Sequence, residues 1–250
     1  MAARFRQILG VRFYAGDLSG VFSAIASGGL VTAPSAPVLV DLETDPDHRR
    51  ALEGCDFALT DSAFMVLLWL LLKRERLPRI SGVRFVRALL ARPEFRQPLA
   101  ALWVMPSVEE ARDTCEWLRR SGVPAGFEDC YVAPLYPAGP LEDEALAALI
   151  EARRPRFVVI CVGGGVQERL GFYLKGRLKY RPAILCTGAA IALVSGRQVR
   201  IPVWADRIFV GWIFRTLSQR GAFTPRLRKS LRLVSLLRTF GERSLSDRRA

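Results

Sequence analysis

Asp61 stands where an α/β protein can place a general base. It follows the apolar run 57–60, which is predicted to be a strand, and it precedes a very apolar helix predicted over Ala63 to Arg74. A carboxylate at the end of a strand can accept a proton from a substrate hydroxyl. The same pattern fits a helix N-cap, which contributes about 1 kcal/mol. The pattern therefore leaves a catalytic and a structural role open for Asp61.

A glycine-rich segment at 163–168 offers a second kind of chemistry. Its sequence is Gly163-Gly164-Gly165-Val166-Gln167-Glu168, and it follows an apolar run over 157–162. A glycine turn that enters a helix can bind phosphate through backbone N–H groups. A dinucleotide-binding motif fits poorly, because Glu168 replaces its last glycine and no acidic residue follows the next strand at Thr187. A phosphate-binding loop and a plain tight turn both remain open.

The residue inventory argues against a metal centre, and no cofactor is expected. His48 is the single histidine, and the five cysteines are widely spaced without a CxxC motif, so a His/Cys metal site is disfavoured. Asp45 and Asp47 lie at a predicted helix start, where N-capping by Asp45 is the simpler explanation. Cys161 and Cys186 lie in apolar runs, where buried reduced thiols are expected, as in a cytosolic protein.

Apolar strand-like runs alternate with amphipathic helical stretches along most of the chain. Strands are predicted over 29–32, 57–60, 99–105, 126–132, 157–162 and 183–186. Helices are predicted over 45–52, 63–74, 107–121, 141–152 and from 166 onward. This alternation predicts an α/β fold with a mostly parallel sheet. Ligands bind beyond the carboxyl ends of such strands, where we expect four residues: Thr32, Asp61, Gly163 and Thr187.

Positive charge is concentrated in the second half of the chain. The net charge is +13, but residues 1–150 carry −3 and residues 151–250 carry +16, of which +9 falls within 207–250. Helices are predicted over 207–218 and 225–240, and the second has an apolar stripe at Leu227, Leu231, Val234 and Leu237. An apolar face with a cationic rim is typical of a helix on an anionic membrane. Nucleic acid also fits the charge, although no nucleic-acid-binding motif is present.

The composition excludes several classes of protein. At 250 residues and 50% hydrophobic content, the chain can bury a sizeable core, which excludes a disordered or collagen-like chain. The N-terminus lacks the apolar region of a signal peptide, and the longest apolar run, Ala63 to Leu72, is shorter than the roughly 20 residues that span a bilayer. We expect a cytoplasmic protein with a core at 1–205 and a basic, membrane-binding appendage at 206–250.

Six segments together resemble the WecG/TagA/CpsF family of glycosyltransferases, typified by the N-acetylmannosaminyltransferase of teichoic-acid linkage-unit synthesis. The segments are 31–35, 60–62, 78–82, 163–168, 195–202 and 211–215, spread over a stretch from about Leu30 to Phe240. The resemblance implies a Rossmann-like α/β core, flanked by helices, with a C-terminal appendage that contacts the membrane. It also implies an inverting, metal-independent transfer of a sugar from a UDP-sugar donor to a polyprenyl-diphosphate-linked acceptor. The reaction would take place at the inner face of the cell membrane.

The resemblance further implies roles for particular residues. Asp61, followed by Ser62, matches the family's catalytic aspartate, and Arg215 matches an arginine that would stabilise the leaving group. Substrate-binding roles fall on seven residues: Thr32, Ser35, Arg79, Gly163, Gly164, Gln167 and Glu168. Three appendage arginines are candidates to complete the site: Arg220, Arg226 and Arg228.

The chain departs from the family's pattern at four positions. Arg84, Ala192 and Gly211 stand where the family has acidic residues, and Gly165 replaces a proline of the glycine loop. These replacements leave room for a second hypothesis, a non-catalytic homologue that acts as a partner in polysaccharide assembly.

Overall fold

The computed structural model describes residues 5–195 and 220–248 and shows an eight-stranded sheet between two layers of helices. The strands are β1 (Phe5–Ile8), β2 (Val11–Tyr14), β3 (Gly29–Thr32), β4 (Phe57–Ala58), β5 (Ala101–Met105), β6 (Cys130–Val132), β7 (Phe157–Ile160) and β8 (Ala183–Cys186). Their order across the sheet is β1-β2-β4-β3-β8-β7-β5-β6, and all neighbours are parallel except β1 and β2. The predicted α/β fold with a mostly parallel sheet is confirmed.

Helices cover both faces of this sheet. They are α1 (Leu18–Ile25), α2 (Ala36–Val40), α3 (Pro46–Glu53), α4 (Ala63–Lys73), α5 (Gly82–Leu90), α6 (Val108–Arg120), α7 (Glu144–Arg153), α8 (Val166–Arg177), α9 (Ala190–Val194) and α10 (Arg220–Thr239). Apolar side chains of α2, α3, α4, α7, α8 and α10 share one core cluster, and those of α1, α5, α6 and α9 share the other. Strand residues alternate between the two clusters, as Leu30 and Val31 do, because side chains of a strand point to opposite faces.

The four strands that carry the candidate residues lie side by side near the centre of the sheet. Thr32 of β3 is level with Ala58 of β4 and Cys186 of β8, and Cys186 is level with Ile160 of β7. Since these strands are parallel, their ends meet at one edge, which we call the carboxyl edge. Asp61, Gly163 and Thr187 follow β4, β7 and β8 at this edge, as predicted, whereas Thr32, the last residue of β3, is fully buried.

Several helix starts follow the capping side chains that the sequence indicates. Asp45 accepts a 2.8 Å hydrogen bond from the third backbone N–H of α3, which confirms the N-cap predicted there, and Ser107 caps α6 in the same way. The strand predicted over 126–132 is shorter than expected. Asp129 accepts from the Gly126 N–H and closes a 3₁₀ turn over Phe127–Asp129, so only the last three residues pair with β5.

The β1–β2 hairpin lies outside the sequence-based prediction. Its two-residue turn is Leu9-Gly10, and both residues have positive φ, at 53° and 80°. Such turns favour Asn-Gly or Asp-Gly, so a leucine in the first position conceals the hairpin in the sequence. The backbone N–H groups of Leu9 and Gly10 donate to the carbonyls of Gly241 and Glu242, at 2.9 and 3.2 Å. The chain beyond α10 thus closes over this turn.

Helix α10 packs along α2 and α4 and belongs to the same core as the helices beneath it. The buried side chains of its second half lie in the core cluster of that face: Leu233, Leu236, Leu237 and Phe240. Lys229 forms an ion pair with Asp41, and Arg232 forms one with Glu43 at 2.8 Å. These contacts attach the described part of the predicted appendage firmly to the core.

The apolar stripe predicted on this helix is divided by its packing. Leu237 is buried and Val234 is half-buried, whereas Leu227 and Leu231 are exposed. The prediction of one continuous membrane-facing stripe is therefore wrong for Leu237, because α2 and α4 occupy the space on that side. The helix predicted over 207–218 and the boundary between residues 205 and 206 lie outside the described residues. No helix within 5–195 and 220–248 is long and apolar enough to cross a membrane.

Candidate active site

Asp61 does not cap the helix that follows it. Ser62 is the N-cap of α4, because its side chain accepts a 3.2 Å hydrogen bond from the Met65 N–H. The carboxylate of Asp61 turns instead toward α5, where Oδ1 accepts a 2.8 Å hydrogen bond from the Gly82 N–H. The N-terminus of a helix favours a negatively charged neighbour. The N-cap alternative from the sequence is therefore wrong, and a half-buried carboxylate is held at the carboxyl edge.

The segment before α5 is folded back onto the end of β4. The Thr60 hydroxyl donates to the Pro78 carbonyl at 2.5 Å and accepts from the Ile80 N–H at 3.1 Å. Nε of Arg79 donates to the main-chain carbonyl of Asp61 at 3.0 Å. Arg79 thus lies next to Asp61, and the Thr60 hydroxyl fixes the approach of the two segments.

Two alanines lie close to Gly82, the residue whose backbone N–H donates to the Asp61 carboxylate. A Cβ built on Gly82 would lie 3.7 Å from Oδ1 of Asp61, 3.7 Å from the Ala190 side chain and 3.8 Å from the Ala33 side chain. Ala33 follows β3, and Ala190 begins α9 after β8. Residues that follow three neighbouring strands, β4, β3 and β8, therefore come together around Gly82.

The glycine segment after β7 forms an exposed turn at the start of α8. The Gly163 carbonyl accepts from the Gln167 N–H at 3.1 Å, and Gly165 has φ of +88°, which suits glycine alone. A Cβ on Gly163 would meet nothing within 4 Å, whereas a Cβ on Gly164 would lie 2.7 Å from the Val38 side chain. Gly163 therefore borders open space, and Gly164 packs against α2.

Glu168 holds this turn from inside the protein. Its Oε2 accepts from the Gly165 N–H at 2.6 Å, and its Oε1 accepts from the Gln167 side chain at 2.9 Å. Burial raises the pKa of Glu168, while the nearby His48 and these hydrogen bonds act in the opposite direction. Glu168 has no exposed surface, so it can act on a substrate only through the loop that it shapes.

The Gln167 amide is buried at the carboxyl edge and lies against the loop after β8. A Cβ on Gly188 would come within 3.3 Å of Gln167 Nε2, and Gly188 has a φ of +51°, so glycine is favoured at this position. Oε1 of Gln167 is buried and has no hydrogen-bond partner among residues 5–195 and 220–248. An unpaired buried acceptor costs free energy that an incoming donor would recover. A sugar hydroxyl or a base N–H is a donor of that kind.

Thr32 and Ser35 stand on either side of the chain reversal between β3 and α2. Thr32 is fully buried, and its hydroxyl lies 3.9 Å from the sulfur of Cys55, beneath the helices instead of at the open edge. Burial raises the pKa of Cys55 to about 12, so this thiol is neutral at physiological pH. Ser35 is half-buried at the start of α2 and makes no side-chain capping bond.

The structure brings most of the predicted site residues to one edge of the sheet, but two of them are completely buried. Asp61, Arg79, Gly163 and Gln167 lie at the carboxyl edge, whereas Thr32 and Glu168 are wholly buried beneath it; Arg215 lies outside the described residues. Among the described residues, no three His, Cys, Asp or Glu side chains form a cluster that could hold a metal ion.

Sequence reasoning missed two residues that shape this edge. Arg169 is buried, and its guanidinium donates to the Gly165 carbonyl at 3.2 Å and to the carbonyls of Pro137 and Gly139, which ties the glycine turn to the loop after β6. An arginine inside a predicted helix gives no signal of such a role. Gly188 did carry a signal, since a glycine directly follows the predicted strand and Thr187.

A mostly parallel α/β sheet with a carboxylate and a glycine turn at its carboxyl edge is an arrangement typical of proteins that bind a ligand at that edge. A protein-family model, described as the glycosyl transferase WecG/TagA/CpsF family, matches residues 6–247. The chain belongs to this family, as the sequence motifs predict, and is a glycosyltransferase of cell-surface polysaccharide synthesis by membership. No curated protein matches the chain significantly.

Proposed function

We propose that the chain is an inverting, metal-independent hexosyltransferase that moves a sugar from a UDP-sugar to a polyprenyl-diphosphate-linked saccharide. The observation that supports this proposal best is that Asp61 does not cap the helix that follows it. The N-cap is Ser62, and the Asp61 carboxylate is directed to the N-terminus of α5 at the carboxyl edge. A carboxylate so placed serves as a base for an acceptor hydroxyl.

The donor nucleotide would lie across the centre of the sheet. Asp61 follows β4 and the glycine turn follows β7, with β3 and β8 between them. At about 4.8 Å per strand, the two sites are about 14 Å apart, which suits an extended nucleotide sugar. Gly163 would allow the diphosphate to approach the backbone, and the unpaired Gln167 oxygen would accept a hydrogen bond from the donor.

The transfer itself requires one proton acceptor and one stabilised leaving group. Asp61 would take the proton from the acceptor hydroxyl as its oxygen forms a bond to the anomeric carbon. The bond from that carbon to the UDP oxygen breaks on the opposite side, so the configuration is inverted. Arg215 and other arginines of the C-terminal segment would stabilise the negative charge that develops on UDP, where a metal ion would otherwise do so.

The lipid-linked acceptor implies a place at the inner face of the cell membrane. The described part of α10 carries six Lys and Arg residues and no acidic residue. Anionic lipid attracts such a segment with about 1 kcal/mol for each cation near the surface. We therefore propose a peripheral protein that binds the anionic membrane surface through its C-terminal region.

A turnover assay tests this proposal. The full chain is incubated with a panel of UDP-sugars and a polyprenyl-diphosphate-linked acceptor in vesicles, without divalent metal, and UDP release and product are measured. We expect turnover with one UDP-sugar and its loss in Asp61→Asn. Product formation that depends on added metal, or that survives Asp61→Asn unchanged, contradicts the mechanism.

One observation favours a second candidate, a non-catalytic partner in polysaccharide assembly. The family's acidic positions hold Arg84, which is exposed on α5, and Ala192, which is buried in α9. Binding of a UDP-sugar without any turnover in the same assay would support this candidate. Binding to DNA that weakens with salt, without binding to anionic vesicles, would instead support a nucleic-acid partner for the basic tail.

A further inference from the structure

We infer that the outer face of α4, together with Leu227 and Leu231 of α10, is the surface that inserts into an anionic membrane. This inference rests on the proposed function for its biological meaning, because a lipid-linked acceptor requires contact with the bilayer. The surface, which we call the leucine face, consists of five exposed leucines on two helices: Leu67, Leu70, Leu71, Leu227 and Leu231.

Helix α4 presents an apolar face to solvent that the core does not use. Met65, Val66 and Trp69 are buried, whereas Leu67 is 47% and Leu71 is 66% exposed. The exposed leucines have the spacing i, i+3, i+4, which places them on one side of the helix, opposite to the buried side chains. From its start to Lys73, α4 contains no charged or polar residue. A contiguous exposed apolar face of this kind indicates an interaction surface.

Helix α10 extends this face. Its ion pairs to Asp41 and Glu43 hold one flank, carrying Lys229 and Arg232, against the end of α2. Leu227 and Leu231 are four residues apart and lie on the other flank of the helix, and α10 packs against both α2 and α4. The end of α10 also lies beside the end of α4, since a Cβ on Gly241 would be 3.2 Å from the Lys73 ammonium. The exposed leucines of the two helices therefore share one side of the protein.

The charge around the leucine face selects an anionic partner. Neither α4 nor α10 contains an acidic residue. The exposed cations at the borders of the face are Lys73, Arg74, Arg226, Arg228 and Arg238. Two copies of this surface would bring like charges together, which disfavours self-association. Anionic lipid offers both an apolar interior for the leucines and phosphate groups for the cations.

The leucine face lies close to Asp61, so its insertion would bring the proposed active site near the membrane. Helix α4 begins at Ala63, so Leu67 lies six residues beyond Asp61. At 1.5 Å per residue, the helix rises about 6 Å from Ala63 to Leu67. Insertion of Leu67 and Leu71 would therefore bring the carboxyl edge close to the lipid headgroups, where the diphosphate of a polyprenyl-linked acceptor lies.

Vesicle co-sedimentation of the full chain tests the inference. The vesicles contain phosphatidylcholine with phosphatidylglycerol, and the variant is Leu67→Glu/Leu71→Glu. Both positions are exposed, so melting temperature should change little. We expect the partition coefficient to fall about a hundredfold, since each buried leucine contributes about tenfold. The control is Leu135→Glu, an exposed leucine outside the leucine face, which lies between β6 and α7 and should bind like wild type.

Several outcomes would overturn the inference. Partition of the double variant within twofold of wild type would do so, as would wild-type protein that fails to bind the vesicles. So would a wild-type dimer that the double variant converts to a monomer without a change in vesicle binding, because a second copy would then occupy the face. The proposed function fails separately: protein that binds through these leucines but transfers no sugar retains the surface and loses the reaction.

Discussion

The backbone N–H of Gly82 donates a 2.8 Å hydrogen bond to Oδ1 of Asp61, and so the carboxylate that ends β4 is held at the start of a helix more than twenty residues away in sequence. Ser62 meanwhile caps the helix that directly follows. Two adjacent residues beyond β4 therefore have different roles. One stabilises α4, and the other is directed to the edge where α/β proteins bind their ligands.

The Asp61→Asn variant should fold normally and lose turnover by about 10²–10⁴-fold, the usual contribution of a general base. Asparagine keeps an oxygen that can accept from the Gly82 N–H but cannot take a proton from a hydroxyl. Initial rates with a UDP-sugar and a lipid-linked acceptor measure the loss. The control, Ser62→Ala, should cost about 1 kcal/mol of stability through the lost cap. Its turnover should stay close to that of wild type; equal losses in both variants would count against a catalytic role for Asp61.

The Gly163→Val variant should weaken UDP-sugar binding by tenfold or more without changing the melting temperature. Its side chain would enter open space at the glycine turn, where a ligand's phosphates are expected to meet the backbone. Calorimetric titration with UDP measures the affinity. Gly164→Val is a poorer probe, because its Cβ would press on Val38 and disturb α2. Unchanged UDP affinity in folded Gly163→Val protein would place the nucleotide elsewhere.

The Asp56→Asn variant should show that the Asp56 carboxylate, which contacts both β3 and α8, makes a pH-dependent contribution to stability. Burial opposes ionisation of Asp56, but hydrogen bonds from the Leu30 N–H and Lys175, together with Arg181, lower the pKa of its carboxyl. A lowered pKa stabilises the fold above the unfolded value of about 3.9, and this contribution is lost as pH falls through the folded value.

Urea unfolding at several pH values tests this linkage. The variant should be less stable than wild type by about 1 kcal/mol at pH 7, and the difference should shrink below about pH 4. Asparagine retains an acceptor for the Leu30 N–H, so the comparison isolates the charge. A difference that is constant from pH 3 to pH 7 would show that the carboxylate charge is not responsible.

The Leu236→Ala variant should destabilise the protein by about 2–5 kcal/mol, because Leu236 is buried between α10 and the helices beneath it. Leu231→Ala, on the exposed flank of the same helix, should change stability by less than about 0.5 kcal/mol. Deletion of residues 221–250 should likewise expose apolar side chains of α2 and α4 and lower the melting temperature. Equal stability of the two alanine variants would contradict the packing of α10 on the core.

The Arg215→Ala variant should lower turnover with little loss of vesicle binding. We expect this because a single cation is one of many on the basic tail, whereas the leaving group needs a charge at one place. Rates and co-sedimentation are measured on the same preparation. A parallel loss of both would assign Arg215 to membrane attachment instead.

The positions of the central strands were predictable because buried parallel strands are short apolar runs. β3 and β8 match their predicted bounds, whereas β4 and β7 each end two residues before the predicted end. The different roles of Asp61 and Ser62 could not be predicted from the sequence, because both residue types are good N-caps. Only the fold of residues 78–82 back onto the end of β4 decides which of the two caps α4. The sequence also does not show which leucines of α10 are buried. They share one helical periodicity, and only tertiary packing makes Leu237 buried and Leu231 exposed. Buried Arg169 shows the same limit, because its partners are backbone carbonyls far away in sequence.

The hydrogen bonds from Leu9 and Gly10 to Gly241 and Glu242 have a consequence for biosynthesis. More than 200 residues separate the two partners, so a ribosome finishes the first hairpin long before it makes the segment that covers the hairpin's turn. Contacts of such long range form late and slowly. The faces of α2 and α4 that pack against α10 therefore stay exposed to solvent until α10 has been synthesised. During that interval the apolar side chains of α2 and α4 that α10 later covers are exposed to solvent, and chaperones bind exposed apolar surface of this kind.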